Sequence, residues 1–315
     1  TIAKRFDQIN VESTETNRRD YREMLFRTDE AMRQFISGVI LFDETIRQNA
    51  ADGTPLVKLI ADSGAVPGIK VDTGAKSLAG TNGEKVTEGL DGLRERQNEY
   101  HSIGARFAKW RAVIEIDDGK PSWSCIKSNA HALARYAALC QEAGIVPIVE
   151  PEVVMDGPTA RHSISECRRV SEWTLNTVFN ELFEANVVLE GMVLKPNMVI
   201  AGQNAPSQAS AEEVAEQTVA CLKATVPAAV PGIAFLSGGQ SDEQASQHLS
   251  LINQIGGTPW ELTFSYGRAL QQSALKSWLG KAENVPAAQA AFTHRARMNA
   301  LATGAGWKPE LEQAA

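Results

Sequence analysis

The chain has 315 residues, 43% of them hydrophobic and 22% charged, and its 31 Lys and Arg against 38 Asp and Glu leave a formal net charge of −7. These figures exclude intrinsic disorder, a collagen-like repeat and a small disulfide scaffold. An acidic chain also lacks the basic footprint of a nucleic-acid or anionic-membrane binder, so any anionic ligand has to be met by a local cluster of cations.

Short apolar phrases rich in β-branched residues recur along the chain, separated by longer stretches of helical period. Gly38–Phe42, Val66–Asp72 and Phe107–Ile114 come first. Ile126, Ala130, Leu133, Ala137 and Cys140 then repeat at helical spacing and predict a helix with one apolar face. The phrases Ile145–Glu150 and Val187–Leu194 follow, and Ser210-Ala-Glu-Glu213 reads as a capping box that opens another helix. Pro231–Leu236 and Glu261–Ser265 complete the series.

Strands alternating with helices imply a parallel α/β sheet with helical crossovers. Seven phrases are one short of the eight that close a (β/α)8 barrel. A doubly wound sheet accommodates seven, but its GxGxxG turn is missing, as is a Walker loop. No Pro/Ser/Gly linker divides the chain, so one domain over 1–315 is expected, with C-terminal helices and a tail from about residue 282.

Cys125, Cys140, Cys167 and Cys221 form no CxxC pair and read as neutral thiols in a reducing compartment. The five histidines, His101, His131, His162, His248 and His294, make no HxxH or HExxH pattern. No metal and no cofactor is therefore expected. No run approaches the ~18 apolar residues of a membrane span, and the opening TIAKRFDQIN lacks a signal-peptide core. A cytoplasmic location is expected.

Chemistry in a barrel gathers at the C-terminal ends of its strands. Alternation puts Lys70 with Asp72, Lys109 with Arg111, and Glu150 with Glu152 on shared faces, while Lys195 ends a strongly apolar run. Each one alone reads as a paired or solvated strand terminus, but so many charges at strand ends argue for a site, because unpaired buried charge is costly. A lysine among apolar groups and other cations has a depressed pKa and supplies the neutral amine that attacks a ketone. Nearby carboxylates shuttle protons during dehydration of the carbinolamine. Ser237-Gly-Gly-Gln-Ser241, between a strand and a helix, offers backbone N–H groups to an anion, and Ser265-Tyr-Gly-Arg268 offers a guanidinium fork. Barrels often bind phosphate after their last two strands, where these loops fall.

Seven phrases in order resemble the class I, Schiff-base fructose-bisphosphate aldolases: LAGTNGE (78–84), GLDGL (89–93), FAKWR (107–111), GIVPIVEPE (144–152), LEGMVLKPNM (189–198), FLSGGQS (235–241) and FSYGRALQ (264–271). The resemblance implies a metal-independent (β/α)8 TIM barrel that reversibly cleaves fructose 1,6-bisphosphate to dihydroxyacetone phosphate and glyceraldehyde 3-phosphate. It implies that Lys195 forms the imine, that Glu150 is the acid/base with Glu152 in support, and that Lys109 lowers the pKa of Lys195. By the same resemblance Lys70, Arg111, Ser237, Gly238, Gly267 and Arg268 line the substrate site. Ser237, Gly238 and Arg268 would surround the first phosphate, and Lys4 and Arg5 the second. A cytoplasmic homotetramer is the usual family form.

Two departures from the family pattern stand out. The family's strand ending in an Ala-Asp-Glu-Ser-like phrase, with a catalytic aspartate, precedes TIAKR, so a barrel missing its first strand is expected here. The ending Lys308–Ala315 also has no counterpart of the family's terminal tyrosine. The alternatives are a Schiff-base aldolase for another phosphorylated ketose and a catalytically impaired scaffold.

Overall fold

The computed structural model describes residues 2–313, so the last two residues of the tail lie outside the described residues. Helices α1 (Ile2–Asp7), α2 (Glu15–Phe26) and α3 (Asp29–Gln34) precede strand β1 (Gly38–Leu41). Helices α4 (Asp43–Arg47) and α5 (Leu56–Asp62) lead to β2 (Val66–Lys70), and the hairpin β3 (Gly74–Ser77) and β4 (Lys85–Glu88) leads to α6 (Leu93–Ser102). Alternation is then regular through β5 (Phe107–Glu115), α7 (Trp123–Glu142), β6 (Val146–Val154), α8 (Ile164–Glu184), β7 (Val193–Leu194), α9 (Ala211–Thr225), β8 (Gly232–Phe235), α10 (Asp242–Ile255) and β9 (Glu261–Phe264). Helices α11 (Arg268–Trp278) and α12 (Val285–Thr303) and a 3-10 turn at Pro309–Gln313 follow.

The main sheet has seven strands in the order β1-β2-β5-β6-β7-β8-β9, every neighbour parallel. Residues of both edge strands, Gly38–Leu41 and Thr263–Phe264, line one cavity together with Lys70, Lys109 and Lys195. The sheet therefore curls until its two edges face each other, the TIM-barrel arrangement read from the sequence. Among the described residues no strand pairs with the outer edge of β1 or β9.

Burial on both faces explains the near-continuous apolar strands, as expected where helices cover a parallel sheet. Ile69, Ala108, Trp110, Val149, Leu194, Ile233 and Phe235 are all buried. Trp110 stacks on Tyr136 of α7 at 5.5 Å between ring centres, and the periodic face Ile126, Ala130, Leu133, Ala137 and Cys140 turns inward beside it. Ser210 caps α9 by accepting from the Glu213 N–H at 3.2 Å. The full reciprocal box forms at α10, where Ser241 and Gln244 satisfy each other's backbone N–H groups.

One strand is much shorter than its sequence phrase. Only Val193–Leu194 of the run Val187–Leu194 pairs, and Leu189–Gly191 forms a 3-10 turn. Gln141, at the end of α7, supplies the reason: its side chain donates to the Val188 carbonyl at 2.8 Å and accepts from the Val188 N–H at 3.0 Å. Both backbone groups of Val188 are thereby taken from the sheet. The strand predicted at Ile145–Glu150 instead runs on to Val154, because β5 pairs with it as far as Glu115↔Val154.

Candidate active site

Three neighbouring strands each contribute one charge to a single contact. Lys195 follows β7 and continues its pairing, since its N–H donates to the Val149 carbonyl at 2.8 Å. Its Nζ lies 3.0 Å from Glu150 Oε1 on β6, and Lys109 Nζ on β5 lies 3.0 Å from Glu150 Oε2. All three residues are at most 8% exposed, so the carboxylate bridges two ammonium groups out of water. The register Arg111↔Glu150 and the two-residue alternation place Arg111 beside Glu152, and the two form an ion pair.

Asp72 completes the cluster, although the site set read from the sequence leaves it out. Its buried carboxylate holds Lys70 Nζ at 2.6 Å, approaches Lys109 Nζ to 3.9 Å and accepts from the Arg111 N–H at 3.4 Å. The signal was present: an aspartate two residues past Lys70, on the same face at a strand's C-terminal end.

Burial alone would push the Glu150 carboxyl up, but the charges of Lys109 and Lys195 prevail and hold it well below the usual carboxylate range. Burial pulls the Lys195 ammonium down, Glu150 opposes this, and Lys109 adds to the depression. Glu152 moves the other way: burial raises it, Arg111 only partly offsets this, and the nearby Glu150 and Asp156 repel its charge. Two carboxyls on one strand are thus driven apart, one firmly ionised and one readier to carry a proton.

The interior cavity between the sheet edges measures about 440 Å³ and is lined by Lys70, Lys109, Lys195, Arg5 and Gly267. Arg111, Ser237, Gly238 and Arg268 lie outside that lining. The Ser237–Ser241 loop nevertheless lies against the charged cluster. A Cβ at Gly238 would stand 2.7 Å from Met155 Sδ and 3.3 Å from Glu152 Oε1, and Gly239 adopts φ +71°. Glycine is required there by close approach and by the left-handed turn.

Arg268, at the start of α11, lays its guanidinium on this loop. It donates to the Ser237 carbonyl at 3.3 Å and to the Gln240 carbonyl, and stands 3.5 Å from the Asp242 carboxylate. Arg5 of α1 donates to Gln271 Oε1 at 3.1 Å and reaches Gly267, where a Cβ would meet its Nη2 at 3.0 Å. Lys4 is exposed and is not among the residues lining the cavity, because one helical step turns it away from the direction Arg5 takes.

Comparison with known proteins agrees with this chemistry. The family model for class-I fructose-bisphosphate aldolase matches residues 1–315. A probable fructose-bisphosphate aldolase class 1 of Xanthomonas campestris pv. campestris is 59% identical over 309 residues, covering 98% of this chain and 91% of the relative. Cytosolic fructose-bisphosphate aldolase 4 of Arabidopsis thaliana is 53% identical over 313 residues, covering 99% and 79%. A solved structure of the Plasmodium falciparum fructose-bisphosphate aldolase, in complex with TRAP and a small-molecule inhibitor, superposes with a TM-score of 0.95 at 51% identity, covering 98% of this chain and 88% of that one.

Proposed function

The chain belongs to the class I fructose-bisphosphate aldolase family, and on that premise we propose how its residues divide the work. It is a lyase of glycolysis that reversibly cleaves fructose 1,6-bisphosphate to dihydroxyacetone phosphate and glyceraldehyde 3-phosphate.

In this reading the neutral amine of Lys195 adds to the C2 ketone, forming an N–C bond while its proton passes to the new hydroxyl. Glu150, ionised at rest, first takes the surplus proton of the Lys195 ammonium it contacts; it then delivers that proton to the new hydroxyl, and water leaves to give the iminium. Base removal of the C4 hydroxyl proton then breaks the C3–C4 bond. The electron pair moves into the iminium, releasing glyceraldehyde 3-phosphate and leaving an enamine. Glu150 is the carboxylate nearest Lys195 among the described residues and takes this proton as well. Protonation of the enamine at carbon and hydrolysis of the iminium return dihydroxyacetone phosphate and free Lys195.

Lys109 lowers the pKa of Lys195 and helps keep Glu150 ionised between turnovers, and Glu152 with Arg111 supports the proton network. Ser237, Gly238 and Arg268 receive the first phosphate, while Lys70, Arg111 and Gly267 line the sugar. Arg5, with Lys4 at the rim, receives the second. The reading rests on one observation: a buried carboxylate 3.0 Å from each of two lysine ammonium groups. We further assign the chain to one barrel domain, to a homotetramer and to the cytoplasm, the last supported by the cytosolic plant relatives. No helix among the described residues is long and apolar enough to cross a membrane.

Borohydride reduction in the presence of dihydroxyacetone phosphate tests the central assignment. The expected product is a covalent adduct on the peptide carrying Lys195. An adduct on any other lysine, or none in folded protein, overturns it.

A further inference from the structure

The loop assigned to the first phosphate is anchored by a buried side chain. Gln240 is 2% exposed, and its carboxamide makes one contact among the described residues, Oε1 to His248 Nδ1 at 2.7 Å. Its Nε2 is buried without a hydrogen-bond partner among the described residues, so the bond to His248 is the one polar tie on the carboxamide. A carboxamide oxygen only accepts, so the imidazole carries its proton on Nδ1 and donates.

His248 sits in the second turn of α10 and is 5% exposed. Burial drives its pKa down to about 4 against the opposing charge of Glu212 on α9, so the neutral ring persists at pH 7. The other charged groups near the head of α10 are Asp242 and Glu243 of its own first turn, Arg268 and Lys276 of α11, Arg295 of α12 and Glu312 of the tail. Arg295 reaches the Asp242 carbonyl and the Ser246 hydroxyl.

The backbone of Gln240 does the second half of the work. Its carbonyl accepts from Arg268 Nη2, the guanidinium at the start of α11 assigned to the first phosphate. A chain of two hydrogen bonds therefore runs from His248 through Gln240 to Arg268. We propose that His248 is a positioning residue of the first-phosphate subsite, acting through Gln240 to fix the carbonyl that orients Arg268. This rests on the assignment of Arg268 to that phosphate. A fork held in place before the anion arrives loses less freedom on binding, which is where affinity would be gained.

Three variants of the full chain test the idea, with fructose 1,6-bisphosphate in steady state and inorganic phosphate as a competing probe. His248→Leu removes the donor, and His248→Asn keeps an N–H near the Nδ1 position. Arg268→Ala tests the subsite itself. For H248L the expected result is a KM and a phosphate inhibition constant each raised about three- to tenfold, the worth of one neutral hydrogen bond, with kcat changed less than about twofold. H248N should return both constants to near wild type. An unchanged KM in H248L, or equal damage from Leu and Asn in proteins with native circular dichroism, overturns the role of His248. If R268A leaves phosphate inhibition unaltered, the subsite assignment falls and the inference falls with it. Loss in R268A with none in H248L removes the His248 role alone.

Discussion

Arg5 and Gln271 stand 266 positions apart in the chain and are joined by a hydrogen bond of 3.1 Å. That bond ties α1 to α11 and brings a guanidinium to the Gly267-Arg268 turn, so the two proposed phosphate cations approach from opposite ends of the sequence. Arg5→Ala should therefore raise the KM for fructose 1,6-bisphosphate by about tenfold or more, in keeping with the ~1.5–3 kcal/mol of a hydrogen bond to a charged partner. The KM for fructose 1-phosphate, which lacks the second phosphate, should move far less. Equal changes for both substrates would reassign Arg5 to holding α1 in place. Lys4→Ala, on the exposed side of the same helix, should have a much smaller effect on either.

Lys109 bears on Lys195 through charge, and its removal has a calculable sign. The Lys109 ammonium helps to depress the pKa of Lys195. In Lys109→Met that pKa should rise, so the pH profile of borohydride trapping should shift to higher pH and trapping at pH 7 should fall. A profile that keeps its position while KM rises would make Lys109 a substrate ligand only.

Glu150→Gln removes the bridge between two buried cations. Leaving a buried charge without its partner costs about 3–5 kcal/mol, so the melting temperature should drop by several degrees or more. Loss of the acid/base should slow turnover by roughly 10²–10⁴. The folded pKa of Glu150 lies below its unfolded value, so its contribution to stability is full above the unfolded carboxyl pKa and disappears as pH falls through the folded one. The stability gap between wild type and E150Q, followed by denaturant titration, should accordingly close in acid. A gap of constant size from pH 7 to pH 3 would contradict the ion contacts.

His248 has a different pH signature. Its folded pKa of about 4 lies below the ordinary histidine value near 6.5, so the unfolded chain binds a proton first. Stability should therefore fall as pH drops from about 6.5 towards 4, and H248N should lose that part of the slope. Identical slopes in the two proteins would place His248 in contact with water.

The legible parts of the molecule are those governed by local pattern. Runs such as Phe107–Ile114 announced themselves because both faces of a central strand are buried, and the Ile126–Cys140 period because α7 turns one face inward. Alternation likewise predicted that Glu150 and Glu152 share a side. What escaped were contacts that no local pattern and no resemblance marked. Gln141 capturing the backbone of Val188 shortened a strand whose sequence is mostly apolar. The pairing of Gln240 with His248 spans eight positions and has no periodic signature. Lys4 and Arg5 look like one basic pair in the sequence, yet helical geometry sends them in different directions.

The contact of Gly238 with Met155 and Glu152 has a consequence for substrate length. Van der Waals contact presses the loop proposed to hold phosphate against the strand end that bears Glu150 and Glu152, leaving no room for so much as a methyl group. On the proposed assignment, the distance from the phosphate to the Lys195 amine is set by how closely this loop packs on Met155. A ketose one carbon shorter or longer between phosphate and carbonyl would present the wrong atom to Lys195 however tightly its phosphate was held.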